Sequence, residues 1–162
     1  MNAYLPSDLA DGEHTLAVRN GSLAEIAGKV SVVRNAPGIF GQLIGEQFVA
    51  TALRPDGSLA APDKAARRGE QIVLMGTGFG AYQRGVLDGF PAGDNPPNPL
   101  RTIPQILVGA AVYTPDFAGA APGLVGVTMI RFTIPAEWNA GMVELRARQG
   151  EVESNKVLLP VE

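Results

Sequence analysis

The 162-residue sequence has no cysteine and a single histidine. Disulfides, thiolate metal sites and cysteine nucleophiles are therefore excluded. A Ser-His-Asp arrangement would have to use His14, and no Gly-x-Ser-x-Gly elbow presents a serine to it. Charge is also scarce, with 18% charged residues and a formal net charge of −3. The basic residues are scattered, Arg67-Arg68 being the densest pair, so the cationic face that a phosphate backbone requires is missing. Nucleic acid is not an expected partner. No apolar run approaches the roughly 20 residues that cross a bilayer. Met1 is not followed by a basic-then-apolar leader, so neither membrane insertion nor a signal peptide is expected in this chain.

What is present is apolar and turn-rich. Hydrophobic residues make up 46%, enough for a core, and 20 Gly with 13 Pro suit short strands joined by turns. Apolar residues alternate with period two. Strands are predicted at Gln47–Leu53, Glu70–Met75, Gln105–Val108, Ala111–Phe117, Val125–Ile134, Met142–Arg148 and Lys156–Val161. Arg54-Pro55-Asp56-Gly57 reads as a turn. A helical period is not sustained anywhere. Seven runs of this kind predict a two-layer sandwich, with Val73, Val112, Phe132, Leu145 and Val157 in its core.

One internal repeat is visible. Leu5-Pro6-Ser7-Asp8, Gly12, Leu16 and Arg19-Asn20-Gly21 match Ile134-Pro135-Ala136-Glu137, Gly141, Leu145 and Arg148-Gln149-Gly150 at a constant offset of 129. After a two-residue slip, Lys29-Val30 matches Lys156-Val157. The second copy closes a module, so the first should close one too, with strands at Thr15–Arg19 and Lys29–Val33. Residues 1–35 are expected to be the last hairpin of a truncated upstream module, 36–40 a linker, and 41–162 a complete sandwich. A lone hairpin is marginal in water. Residues 1–35 are accordingly expected to find cover, by docking on the sandwich of the same chain or, as the favoured route, through a homodimer built around that segment.

A family resemblance rests on motifs that follow one another along nearly the whole chain. They are Asn2-Ala3-Tyr4-Leu5-Pro6, Ala36-Pro37-Gly38-Ile39-Phe40, Asp56-Gly57-Ser58, Arg68-Gly69-Glu70, Gly76-Thr77-Gly78-Phe79-Gly80, Ala118–Gly126 and Ser154-Asn155-Lys156-Val157. In this order they resemble the paralogous C-terminal domain repeated across large secreted proteins of Solibacter and other Acidobacteria. The resemblance implies two tandem immunoglobulin-like modules, often behind β-propellers, with the first half of the first module missing here. It implies an extracellular or cell-surface setting and brings no catalytic residues. The resulting fold class is all-β, an immunoglobulin-like β-sandwich preceded by a hairpin from an incomplete upstream sandwich.

Several residues invite chemistry. Gly76-Thr77-Gly78-Phe79-Gly80-Ala81 satisfies the dinucleotide fingerprint, but that motif needs a following helix to hold the pyrophosphate. Tyr82–Pro91 carries no helical pattern, so a turn or bulge with a glycine at positive φ is expected instead. His14 shares a strand face with Leu16 and Val18, and its repeat counterpart is Val143. It reads as a strand-end residue. Asp88, Asp94 and Asn95 in the loop 84–104 are the calcium candidates, although their spacing matches no calcium loop. The loop is long for a sandwich connection; it reads as a crossover between the two sheets and is also the best place for a binding surface. Trp138, in a turn just past Pro135, is expected to cap the end of its own sandwich or a module interface; ligand contact is its alternative role, and Asp94, Asn95 and Tyr82 are the other possible contacts with a ligand or partner, since aromatics stack on sugars and anchor proteins. The expected function is a non-catalytic accessory, adhesion or interaction module meeting a protein or glycan surface, with no cofactor. The alternatives are a glycan-binding module and a part of a calcium-dependent, lactonase-like hydrolase assembly.

Overall fold

The computed structural model describes residues 3–19, 21 and 25–162. Asn2 of the resemblance and Asn20 of the repeat lie outside them. The fold is all-β, with no helix among the described residues. The chain forms two compact units, Met1–Arg34 and Asn35–Glu162.

In the first unit, β1 (Gly12–Val18) and β2 (Ile26–Val32) pair antiparallel from Gly12↔Val32 to Val18↔Ile26. Opposed residues share a face. His14, Leu16, Val18, Ile26, Val30 and Val32 therefore fall on one side, and Glu13, Thr15, Lys29 and Ser31 on the other. Lys29 pairs with Glu13 at 2.7 Å on that polar side, largely exposed to solvent, where such a pair adds little.

The second unit is a sandwich of two sheets. Its strands are β3 (Gly38–Ile39), β4 (Gly41–Ile44), β5 (Gln47–Ala50), β6 (Ala52–Leu53), β7 (Gln71–Thr77), β8 (Gln105–Val108), β9 (Ala111–Tyr113), β10 (Phe117–Ala120), β11 (Thr128–Thr133), β12 (Gly141–Gln149), β13 (Val152–Glu153) and β14 (Val157–Val161). One sheet runs β10-β11-β7-β3, with β6 also on β7. The other runs β4-β5-β14-β12-β8-β9, with β13 on β12. All pairings are antiparallel except β5 with β14, which is parallel at Val49↔Leu158. The core lies between the sheets, where Ile72, Leu74, Ile130 and Phe132 meet Ile106, Leu145, Val157 and Leu159. Each such side chain contributes roughly 1.5–3 kcal/mol over its exposed state.

Several expectations change. Residues 36–40 are not a linker: Gly38 and Ile39 form β3, and Phe40 N donates to Met75 O at 2.8 Å. The run Gln47–Leu53 divides at Thr51, so that β5 joins one sheet and β6 the other. Ala111–Phe117 divides in the same way. Pro115 has no N–H for a ladder, and the chain crosses there from β9 to β10. Val112 sits on the edge strand β9 and is 48% exposed, outside the core. Val73 faces outward, half-buried, while its neighbours Ile72 and Leu74 point in. Phe132, Leu145 and Val157 are buried in the core.

Candidate functional site

The glycine run after β7 is used for packing. Gly78 and Gly80 have φ of +75° and +85°, values that L side chains rarely adopt. A Cβ on Gly78 would lie 2.0 Å from Ala36 O, and one on Gly76 would lie 2.4 Å from Gly38 O. Without side chains, residues 36–39 lie directly on β7, and Ala36 N donates to Gly78 O at 2.9 Å. Beyond Gly80 the chain enters a bridge between Tyr82 and Leu100 rather than a helix. The amide cluster that would hold a pyrophosphate is therefore not formed.

Tyr82 is half-buried. Its hydroxyl lies 3.0 Å from Thr128 Oγ1, a buried hydroxyl on β11. Burial raises the pKa of the phenol, and the Thr128 hydrogen bond only partly opposes this. Tyr82 thus props the long loop against the first sheet.

The loop is closed at its base by Asn98 and Arg84. Asn98 Oδ1 accepts from Arg84 N at 3.0 Å, and Asn98 Nδ2 donates to Arg84 O at 2.9 Å. The Arg84 guanidinium donates to Pro96 O at 2.7 Å and Pro97 O at 2.6 Å, answering carbonyls that a proline-rich stretch leaves without a ladder. Asp88 lies in the turn Leu87–Phe90, which Gly89 makes at φ +76°. Asp94 and Asn95 are exposed. Among the described residues no three His, Asp or Glu side chains converge on a metal-sized point. The loop also exposes large apolar groups. Leu87 is 69% and Phe90 59% exposed, on a loop that Ala92 ties to Gly123 and Leu124 by backbone hydrogen bonds.

Trp138 follows a turn in which its N donates to Pro135 O at 3.2 Å. The side chain is 4% exposed. It packs edge-on against Tyr113 at 5.5 Å and tilted against Phe132 at 5.9 Å. Its indole Nε1 is buried with no acceptor. A cleft of about 350 Å³ lies beside it, lined by Val108, Tyr113, Glu137, Asn139, Met142 and Val143 among others. With its ring against Tyr113 and Phe132, Trp138 closes the end of the core and has little free face for a sugar to stack on.

His14 Nε2 lies 2.8 Å from Ala10 O, so this ring is tied to its own strand entry. Among the described residues the most covered ion pair joins Arg54 to Glu70 at 2.9 Å. Burial raises the Glu70 pKa, but hydrogen bonds from Arg54 and Arg67 N, with the charges of both arginines, outweigh it and hold the carboxyl below its ordinary value. The same contact raises Arg54, against the opposing effect of burial. Asp56 is lowered by Ser58, through hydroxyl and backbone N–H, and then by Lys64. Both carboxylates hold turns in place and are paired with cations, so neither is set up as a general acid.

Two side-chain amides were not anticipated as structural elements, Asn98 and Asn155. Asn98 lies between Pro97 and Pro99, whose nitrogens cannot donate, and that spacing is the only hint in the sequence. Compared with known proteins, the chain matches no family model, no curated sequence and no solved structure.

Proposed function

We propose that the chain is a non-catalytic interaction module of immunoglobulin-like type, belonging to a secreted or cell-surface bacterial protein. The strand order supports the fold reading. β3-β7-β11-β10 corresponds to the A-B-E-D sheet of that architecture, and β14-β12-β8 to G-F-C with β9 in the added C′ position. The extracellular setting rests on the resemblance to acidobacterial secreted domains.

One observation carries the functional reading. The groups that could have worked chemically are engaged in the fold: Trp138 closes the core, Tyr82 and Asn98 hold the long loop, and the glycines seat β3. That loop also exposes two large apolar side chains, Leu87 and Phe90, beside the polar Asp94 and Asn95. Exposed apolar side chains presented on a fastened loop suit contact with a protein or glycan surface. A glycan array with wild type and Phe90→Ser tests the reading, since Phe90 is outside the core. Binding lost in Phe90→Ser places a glycan at the loop, and an array without binding leaves a protein as the partner class. Lactone turnover that a chelator abolishes would overturn the module reading in favour of a hydrolase.

A further inference from the structure

Arg54, Arg131, Arg146 and Arg148 of the second unit are half-buried. Three of these arginines have acceptors in the fold. Arg54 pairs with Glu70, Arg146 pairs with Glu153, and Arg148 donates twice to Gln105 Oε1. Arg131, on β11, is the exception. Its side chain makes no hydrogen bond or ion pair among the described residues, and its Nε is buried. Buried donors of folded proteins are nearly always paired, so an orphan of this kind calls for a physical reason.

The strand register places Arg131 within one cross-strand row. Leu53 on β6 opposes Val73 on β7, Val73 opposes Arg131, and Arg131 opposes Phe117 on β10. These four face away from the core, because their strand neighbours Ala52, Leu74, Ile130 and Ala118 are buried between the sheets. At about 4.8 Å per strand the row spans roughly 14 Å. The guanidinium lies over the Phe117 ring, 5.4 Å from its centroid. That ring rests in turn on Gly119, where a Cβ would come within 2.6 Å of it. Stacking holds the guanidinium without satisfying its N–H groups. Asp116 does not satisfy them either. Its Oδ2 accepts from Gln71 Nε2 and Thr133 Oγ1, each at 3.2 Å, in the adjoining row.

We propose that the outer face of this sheet docks an acidic segment of a partner protein, one carboxylate of which takes the Arg131 guanidinium. A planar guanidinium offers parallel donors that match the two oxygens of a carboxylate. The rest of the row is apolar at Leu53 and Val73, and Met75 pairs with Met129 in the next row. An arginine set among apolar side chains is the composition of an interface centre. An acidic sugar would bring the same carboxylate, but Phe117 lies between Arg131 and Gly119 and leaves little ring face for stacking. None of these residues belongs to the loop that carries Leu87 and Phe90, so the proposal goes beyond that contact and fails separately from it.

The test is an NMR titration of the isotope-labelled full chain with a capped peptide of alternating leucine and glutamate. Saturable shifts should appear at the Arg131 Nε–H signal and at the Val73 and Phe117 amides. The same peptide with glutamine for glutamate should bind roughly tenfold more weakly, because a charge-assisted pair is lost. Arg131→Gln should lose as much while melting within a few degrees of wild type, since Arg131 lies outside the core. Arg146→Gln, on the other sheet, should bind as wild type does. Asp116→Asn should bind about threefold more tightly, because a like charge leaves the row beside Arg131. That variant keeps the proposal open to refutation if Arg131→Gln does not fold. Absent binding, shifts confined to other surfaces, or equal affinity for the glutamine peptide would overturn the proposal. Tighter binding of oligogalacturonate would make the ligand an acidic sugar and overturn it too. Shifts of these signals on concentrating the free chain would make the occupant a second copy, with the same result.

Discussion

The side-chain amide of Asn155 holds both backbone polar groups of Ile39, 116 positions away in sequence: Asn155 Oδ1 accepts from Ile39 N at 2.8 Å, and Asn155 Nδ2 donates to Ile39 O at 3.1 Å. An amide so placed imitates a neighbouring strand. It joins the entry of β14, in one sheet, to β3, in the other, and so fastens the two layers at that edge. Asn98 makes the same two-bond contact with Arg84.

Asn155→Ala should lower stability by about 2 kcal/mol, because two hydrogen bonds of about 1 kcal/mol each disappear and the buried Ile39 loses its partner. For a chain of this size that is roughly 4–8 °C in Tm. Calorimetry of the variant checks it, and a Tm within 1 °C of wild type would show that the contact carries no weight.

Gly78→Ala and Gly57→Ala form a matched pair. Both glycines have φ near +75° to +79°, but Gly57 has open space where a Cβ would go and Gly78 has Ala36 O. Gly57→Ala should cost about 1–2 kcal/mol of backbone strain. Gly78→Ala should cost about 3 kcal/mol or more, since overpacking adds to the strain. Equal losses in urea titrations would mean that close approach of residues 36–38 is not why glycine is needed. NAD or ATP should leave the wild-type Tm unchanged, since only a ligand that binds the folded state raises it.

Acid should unfold the protein partly through Glu70 and Asp56. Both carboxyls lie below their ordinary values, 4.5 and 3.8, in the folded state. Their stabilising contribution is thus complete above those values and is lost as pH falls through the lower folded ones. Glu70→Gln should lower the neutral-pH Tm and flatten the decline below pH 4.5. An acid limb of unchanged steepness would assign acid sensitivity to other groups.

Trp138→Ala should cost about 3–5 kcal/mol, the penalty of a large cavity in a core. Trp138→Phe should cost about 1–2 kcal/mol, because it keeps an aromatic ring near Tyr113 and Phe132 and removes an indole N–H that has no acceptor. If Trp138→Ala melts like wild type, the ring does not close the core.

Asn98→Ala should release the base of the loop 84–98. Limited proteolysis within that loop should accelerate several-fold while Tm falls by only a few degrees, since the two lost hydrogen bonds fasten a surface segment. Unchanged cleavage rates would show that the Arg84 guanidinium alone closes it.

Much of the fold was legible because its signals are local. Alternation over Gln105–Val108 and Met142–Arg148 and the turn at Asp56-Gly57 depend on neighbours within a few residues. The repeat at offset 129 located both hairpins and their glycines. Period alone could not choose a face in β7, where Ile72, Val73, Leu74 and Met75 are apolar at both parities. Nor could it show that Thr51 and Pro115 pass the chain from one sheet to the other, since propensity is indifferent to which sheet receives a strand. The roles of the candidate residues were hidden for a similar reason. An exposed Trp and a core-closing Trp look alike in sequence, and Tyr82 meets Thr128 across 46 positions.

The sequence by itself determined an all-β chain, the places where it turns, and a closing hairpin used twice, because alternation, glycine and proline act through local geometry. The tertiary structure decided which residues face the core, which sheet takes each half of a broken strand, and that Asn155, Asn98 and Tyr82 serve packing. Those outcomes depend on what lies opposite each residue, and long-range pairing alone supplies that partner.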